Sequence, residues 1–563
     1  MRSMFRRAAP VVFCALLAAC GKQQQTAQDS PLAFVPADAP YAYANLEPLP
    51  GAVTEQWSRP MQEYWPTMFG MYEGMLADSK NSMDDRTRGI VLALMEEVKT
   101  HGNWDKLREI GLKPDARVAF YGVGLVPVVR MELGNAAAFK AEVARVEQSA
   151  GAKLPVAKID DQEYWQPGDE TIKAAIAIQG NHLVITLLPA KASDALKRTL
   201  LGITRPAQNL GDAGMLQAIA KQYGYAGFGT GYFDVVRVVE RLSKPLAGSD
   251  AEFAQTLGVP ALTADAACQR EYLEIAHKFP RMVAGAQELT PQRMRMAAQL
   301  EIDSGLAGQI AAALGAAPGS ADTAQGAIDF SLAVPVLKLK DFWIAQADAV
   351  AAKPYECAML KPLNELFAQS KSRIDVVVPP PLSDFTGVRA SISTFSMPAG
   401  AKTPDVAGKL LLAFANPGTA MSMAQLMMPP LQKLKIAPDS KPVAVPADLL
   451  PANSPPLSVA MSDKGIAFAT GTTEVASLPA YLAAPAASAP VFLRLHFGGA
   501  VYGWMARTFD AFKDSSPGAA QKNLETQAKM FGIYEKWLRS NDITLTATPS
   551  GIAMQQTIDL NAQ

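Results

Sequence analysis

The chain has 563 residues, 49% of them apolar and 19% charged, with 52 lysines and arginines against 53 acids and a formal charge of −1. That interspersed balance excludes the basic stripe a nucleic-acid-binding surface needs. The length allows two or more domains with sizeable cores, and no apolar run after the first twenty residues is long enough to span a bilayer.

In chain order, Arg2, Arg6 and Arg7 precede a short apolar stretch, Ala8 to Ala18, followed by Ala19 and Cys20. This is the order of a secretory signal, residues 1–19. Leu17-Ala18-Ala19-Cys20 resembles the lipobox of bacterial lipoproteins. The resemblance implies that Cys20 takes a diacylglyceryl group and that cleavage follows Ala19. The new amino terminus is then acylated, with palmitate-type chains. Two or three chains anchor stably where one does not. Gly21 in place of Asp implies export to the outer membrane, with the body facing the periplasm. A cleaved ordinary signal is the alternative. Residues 20–33, polar beyond the cysteine, read as a tether.

Four cysteines are present. Cys14 leaves with the signal and Cys20 carries lipid, which leaves Cys268 and Cys357. In an oxidising compartment these most simply form one disulfide, against the alternative of two buried free thiols.

The stretch from Trp57 holds Trp57, Tyr64, Trp65, Met68, Phe69, Met71, Tyr72 and Met75. Its wide apolar stripe reads as a helix pressed into a core. Pro66, Gly70 and Gly74 weaken such a helix, so the competing expectation is a mobile segment lining a groove where a protein or lipid docks.

Beyond it, stretches of the first half return in order in the second. A strand, an Asn and a helix occur at Met131–Val146 and at Leu412–Met427, with Asn135 and Asn416 as N-caps. Hairpins follow at Lys173–Leu188 and Leu457–Thr470, then helices at Lys191–Leu201 and Glu474–Leu482. Tyr232, Arg237 and Glu240 share their spacing with Tyr502, Arg507 and Asp510, with Gly229 and Gly499 three residues before each tyrosine. Helices from Cys268 and from Asn523 then lead into hairpins. The expectation is two divergent α+β repeats, 34–310 and 327–563, joined by a linker at 311–326. Each would be an antiparallel or mixed sheet with helices packed on it. The body, with "FVPADAPYAYANLEPLP" at Phe34–Pro50, resembles large two-repeat lipoproteins of unknown function from Gram-negative envelopes. That resemblance brings no activity or site residues with it.

Chemistry-bearing motifs are few. None of His101, His182, His277 and His496 sits at metal-ligand spacing, and no Gly-x-Ser-x-Gly or Cys-x-x-Cys occurs. Gly227 to Gly231, "GFGTG", lacks the spacing and the lysine of a phosphate loop and reads as a tight turn. Asp160, Asp161 and Glu163 read as a solvated loop, and the methionines from Met421 as core rather than a copper site. No catalytic, cofactor or metal residue is assigned. The leading expectation is a non-catalytic, lipid-anchored periplasmic protein that binds an envelope protein or an apolar ligand. The alternative is a hydrolase with a non-contiguous site. A serine paired with His182, His277 or His496 and a carboxylate would favour the enzyme, and an apolar groove without titratable groups would favour binding.

Overall fold

The computed structural model describes residues 29–78, 85–100, 104–168, 172–189, 192–257, 265–324, 326–396, 405–451, 454–514 and 518–561. Cys20 and His101 lie outside them. The chain divides into two compact units. One comprises Met1–Trp65, Tyr72–Thr263 and Val283–Ala286; the other comprises Pro66–Met71, Ala264–Met282 and Gln287–Gln563. Helices pack on antiparallel strands, an α+β fold.

The first unit begins with β1 (Tyr41–Ala44), helices α1 (Gly51–Asp78) and α2 (Asp85–Thr100), and the hairpin β2 (Val118–Val123) and β3 (Val126–Glu132). Then come α3 (Ala136–Ala150), β4 (Val156–Ile159), β5 (Gln162–Trp165), β6 (Ile172–Gln179), β7 (His182–Pro189), α4 (Asp194–Leu201), α5 (Met215–Tyr223), β8 (Thr230–Asp234) and α6 (Val235–Ser243). The strands lie in the order β8–β1–β2–β3–β7–β6–β5–β4. Local chemistry sets the boundaries. The Asn135 side-chain oxygen accepts the N–H groups of Ala137 and Ala138 at 3.0 and 3.1 Å and starts α3. Gly180, at φ 57°, turns β6 into β7, and Gly202, at φ 78°, stops α4.

The second unit holds α7 (Ala266–Lys278), β9 (Arg281–Leu289, except for Val283–Ala286), β10 (Arg293–Glu301), α8 (Ser304–Leu314), β11 (Ile328–Ala333), α9 (Val336–Ala352) and α10 (Lys361–Ile374). It continues with β12 (Phe385–Ser396), β13 (Asp405–Phe414), α11 (Pro417–Met427), β14 (Val443–Ala444), β15 (Leu457–Met461) and β16 (Gly465–Thr470). It closes with α12 (Thr472–Ala476), α13 (Leu478–Ala483), β17 (Val491–Gly498), α14 (Gly499–Lys513), α15 (Ala519–Trp537), β18 (Leu538–Thr548) and β19 (Gly551–Leu560). Its strand order is β9–β10–β19–β18–β17–β11–β12–β13–β16–β15–β14.

In the first unit β1 is followed by α1, α2 and the short helix Trp104–Glu109, the hairpin β2–β3, helix α3, two hairpins (β4–β5 and β6–β7), further helices and β8, which pairs back on β1. In the second, β11 is followed by α9 and α10, the hairpin β12–β13, α11, β14 with the hairpin β15–β16, α12 and α13, and β17, which pairs back on β11. Several expectations shift in detail. Asn416 stands at the N-cap of α11 without a capping side-chain bond. The helix expected at Glu474–Leu482 is two, divided at Ser477 ahead of Pro479. Tyr232 lies on strand β8 whereas Tyr502 lies inside helix α14, so their matching spacing does not mark matching positions. Tyr232 and His496 each stand two residues before a strand-to-helix junction, at Asp234 and Gly498. Residues 315–324, read from the sequence as a link, pack on the second sheet. The Pro318 carbonyl accepts from the Ser331 hydroxyl, and Asp322 accepts from Arg389 at 3.2 Å.

Cys268 and Cys357 form a disulfide, with Cα atoms 4.5 Å apart. Both cysteines belong to the second unit, so the bridge closes within it. Glu271 braces the site by accepting the backbone N–H groups of Glu356 and Cys357 at 2.8 and 3.1 Å.

Candidate functional site

Side chains alternate between the two faces of a strand. On one face of the first sheet lie Ala42, Ala44, Ala119, Tyr121, Val128, Arg130, Val184 and Thr186, all buried. The other face is apolar as well. Register places Gly231, Tyr43, Phe120, Val129, Ile185 and Ile176 in one row across six strands. The next row is Phe233, Tyr41, Gly122, Pro127, Leu187 and Ala174. Tyr43, Phe120, Phe233, Ile185 and Leu187 are 37–44% exposed. A half-solvated antiparallel sheet ordinarily turns polar residues outward. This one keeps its arginine inside and presents aromatic and branched side chains outside.

Aromatic contacts order the surface. The Tyr41 ring lies 5.5 Å from Phe120 and is stacked 6.3 Å from Phe233. Its hydroxyl donates to the Leu125 carbonyl at 3.1 Å, and burial, with the charge of Asp250, pushes its pKa up to about 12. The glycine-rich stretch finds its role here. A Cβ on Gly229 would meet the Tyr43 hydroxyl at 2.3 Å, and one on Gly231 would meet the Tyr43 ring at 2.5 Å. These glycines let Tyr43 lie flat on β8.

The second sheet also carries apolar rows, but here α11 and Leu434 cover the β16 end, where Ile466 is buried and Phe468 packs with it. Leu495, Phe330, Ala390, Leu410 and Phe468 form one row, and Leu493, Leu332, Val388, Leu412 and Ile466 the next. Its opposite face buries Asp329, Ser331, Arg389, Ser391 and Lys409. Arg389 bonds Asp329, and its guanidinium carbon lies 4.5 Å from the centre of the Tyr481 ring. Lys409 pairs with Glu474 at 2.9 Å.

The buried guanidinium groups obey one positional rule. Arg130 stands opposite Ala119 on β2, and Arg389 stands opposite Leu411 on β13. With Tyr232 matched to His496, these are corresponding cross-strand pairs, the arginine coming from the second hairpin strand in one unit and the first in the other. Arg130 donates to Gln179 at 2.8 Å and to the Leu201 carbonyl at 2.9 Å, and lies 3.7 Å from the centre of the Phe34 ring. Beside it a cleft of about 460 Å³ is lined by Arg117, Glu132, His182 and Arg205. Glu132 accepts from Arg117 at 2.7 Å. Burial pushes the Glu132 pKa up, but the hydrogen bonds and charge of Arg117, with Lys113, outweigh it and leave it lowered. Around this cleft Arg117, Arg130, Arg205 and Lys113 outnumber the carboxylates of Glu132 and Asp29.

The remaining candidates fall into place separately. Trp57, Tyr64, Trp65, Met68 and Phe69 are half-buried on α1, which runs unbroken through Pro60 and Pro66. The side chains of Met71, Tyr72 and Met75 lie outside the described residues. Asp160, at φ 52° in the β4–β5 turn, takes two bonds from Arg198 at 2.9 and 3.0 Å, and Asp161 faces Lys158. His496 pairs with Asp542 at 2.8 Å, and His182 contacts Arg130 at 3.3 Å. Among the described residues no serine hydroxyl is hydrogen-bonded to a histidine, and no three His, Cys, Asp or Glu gather as metal ligands. No described helix is long and apolar enough to cross a membrane. No protein-family model, no curated protein and no solved structure matches the chain.

Proposed function

We propose that this is a non-catalytic lipoprotein, anchored through an acylated Cys20 at the periplasmic side of the outer membrane, whose body binds an apolar ligand on its sheet faces. The observation that carries the reading is the half-exposed apolar face of β8, β1, β2, β3 and β7. Contiguous exposed apolar surface on a folded protein marks a place where something apolar binds. The rows carry no titratable group besides the tyrosines, so they are suited to holding hydrocarbon and not to moving protons. Helix α1, with its half-buried aromatic residues, is the second candidate contact surface.

The same proposal includes an internal duplication. The similar order of connections, apart from the extra β4–β5 hairpin of the first unit, supports it, as does the guanidinium buried at corresponding cross-strand pairs in both units.

The test uses the chain with Cys20→Ala, purified without acyl groups, and a fluorescent long-chain fatty acid. Saturable binding is expected, weakened at least tenfold by Phe120→Asp with Ile185→Asp while melting is unchanged. Absence of binding, or equal binding by the variant, overturns the ligand reading. Mass spectrometry of the unaltered protein from membranes is expected to find an acylated Cys20 at the amino terminus. A processed but unmodified cysteine overturns the anchor.

A further inference from the structure

Helix α11 ends in an apolar tip. Leu426, Met427 and Met428 are 70%, 75% and 59% exposed, and exposed Pro429 and Pro430 follow. The expectation that these methionines are core holds only for the start of the helix. There Ala420 is buried, and Met421, with Leu431 and Leu434, packs against Val459, Met461 and Ile466.

The tip is held in place. The Met428 N–H donates to Ala424 at 2.8 Å, the Leu431 N–H to Met428 at 2.9 Å, and the Gln425 amide to the Leu434 carbonyl at 3.2 Å. Three large apolar side chains are therefore fixed outward by a hydrogen-bonded turn with a buried base. The helix at the same place in the first unit, α3, ends in Glu147-Gln148-Ser149-Ala150, so the connection itself does not require an apolar end.

Charge selects the occupant. Lys433 and Lys435 stand exposed at the base of the tip. Lys433 pairs with Asp448 at 2.6 Å and Lys441 with Asp439 at 3.1 Å, which leaves the segment with the positive charge of Lys435 in excess. A convex apolar end followed by lysines matches a bilayer surface, where apolar side chains sink below the headgroups and ammonium groups stay at the phosphates. The other exposed apolar stretch, Val376, Val377 and Leu382, has no such excess: Lys340 pairs with Asp375 at 3.8 Å, and Arg373 is offset by Asp384.

We infer that residues 426–430 insert into the interfacial layer of a bilayer bearing anionic headgroups. This contact is separate from acylation of Cys20, and the unacylated chain tests it alone. The probe is a set of phosphatidylethanolamine–phosphatidylglycerol vesicles, sedimented at low salt with the Cys20→Ala chain. Binding is expected, reduced at least tenfold by Leu426→Asp, Met427→Asp and Met428→Asp together. Lys435→Glu is expected to weaken it severalfold at low salt and to have no effect at 1 M salt, where charge is screened. If the triple variant melts early, Met427→Ser alone serves, with a severalfold loss expected. A native chain that stays in the supernatant, a variant that sediments equally, or a tip substitution that abolishes self-association while leaving vesicle binding intact overturns the inference.

Discussion

Arg389 and Asp329 meet on adjacent strands with neither side chain exposed, joined by bonds of 2.9 and 3.3 Å. Removing one member of such a pair leaves a buried charge without its main partner, which costs about 3–5 kcal/mol. Asp329→Ala should fall at the lower end, because Asp322 still reaches Arg389 at 3.2 Å. Chemical denaturation followed by circular dichroism measures it. Replacing both, Arg389→Met with Asp329→Leu, should recover most of the loss, since apolar side chains of similar volume fill such sites well.

The Cys268–Cys357 bridge closes a loop with a sequence separation of 89. For a loop of that size the chain-entropy argument gives about 4–5 kcal/mol of stabilisation, less any native strain. Cys357→Ser should therefore lower the unfolding free energy of the second unit by that order. In non-reduced, denatured protein neither thiol should react with an alkylating reagent; labelling of both would exclude the bridge.

Much of this fold was legible because its boundaries rest on local chemistry: Asn135 as a cap, Gly180-Asn181 as a turn, Gly202 as a stop. Two leftover cysteines sufficed to propose a bridge. Which face of each sheet is covered was not legible. In Tyr41-Ala42-Tyr43-Ala44 and Phe120-Tyr121 both faces carry apolar residues, so the alternation that normally separates core from solvent is erased. The signal that was missed is the lone arginine inside an apolar strand, Val129-Arg130-Met131 and Val388-Arg389-Ala390. Each marks a covered face, and in the first sheet, by elimination, the open one. The methionines after Met421 misled because helical spacing identifies a stripe but not how far along the helix its cover extends. Tyr502 misled because identical spacing can fall on different elements.

Burial, and then the charge of Arg130, push the His182 pKa down to about 4. In the unfolded chain the ring protonates near its ordinary value of about 6.5. Between these values the unfolded state binds more protons, so stability falls as pH drops from about 6.5 to about 4. Discounted for partial solvent access, the loss is about 2 kcal/mol. His182→Gln should flatten denaturation midpoints across this window. Glu132, whose pKa is lowered, contributes stability that is lost at more acid pH, below its ordinary range near 4.3. The slope that persists in the His182 variant should therefore begin only there.

Tyr43 and Gly229 supply the closest test of the apolar face itself. A methyl group on Gly229 would sit 2.3 Å from the Tyr43 hydroxyl and 3.1 Å from the ring carbon that bears it. The ring must then lift off β8 or the strands must separate, at a cost of about 1–3 kcal/mol. Gly229→Ala should lower the melting temperature, and adding Tyr43→Ala should return part of that loss, because the clash is with that side chain alone. A phosphate-binding role for the glycine stretch predicts no such rescue. Since Tyr43 stands in the exposed row beside Phe120, Gly229→Ala should also weaken fatty-acid binding severalfold at temperatures where the variant is fully folded, and fluorescence titration would read the change directly.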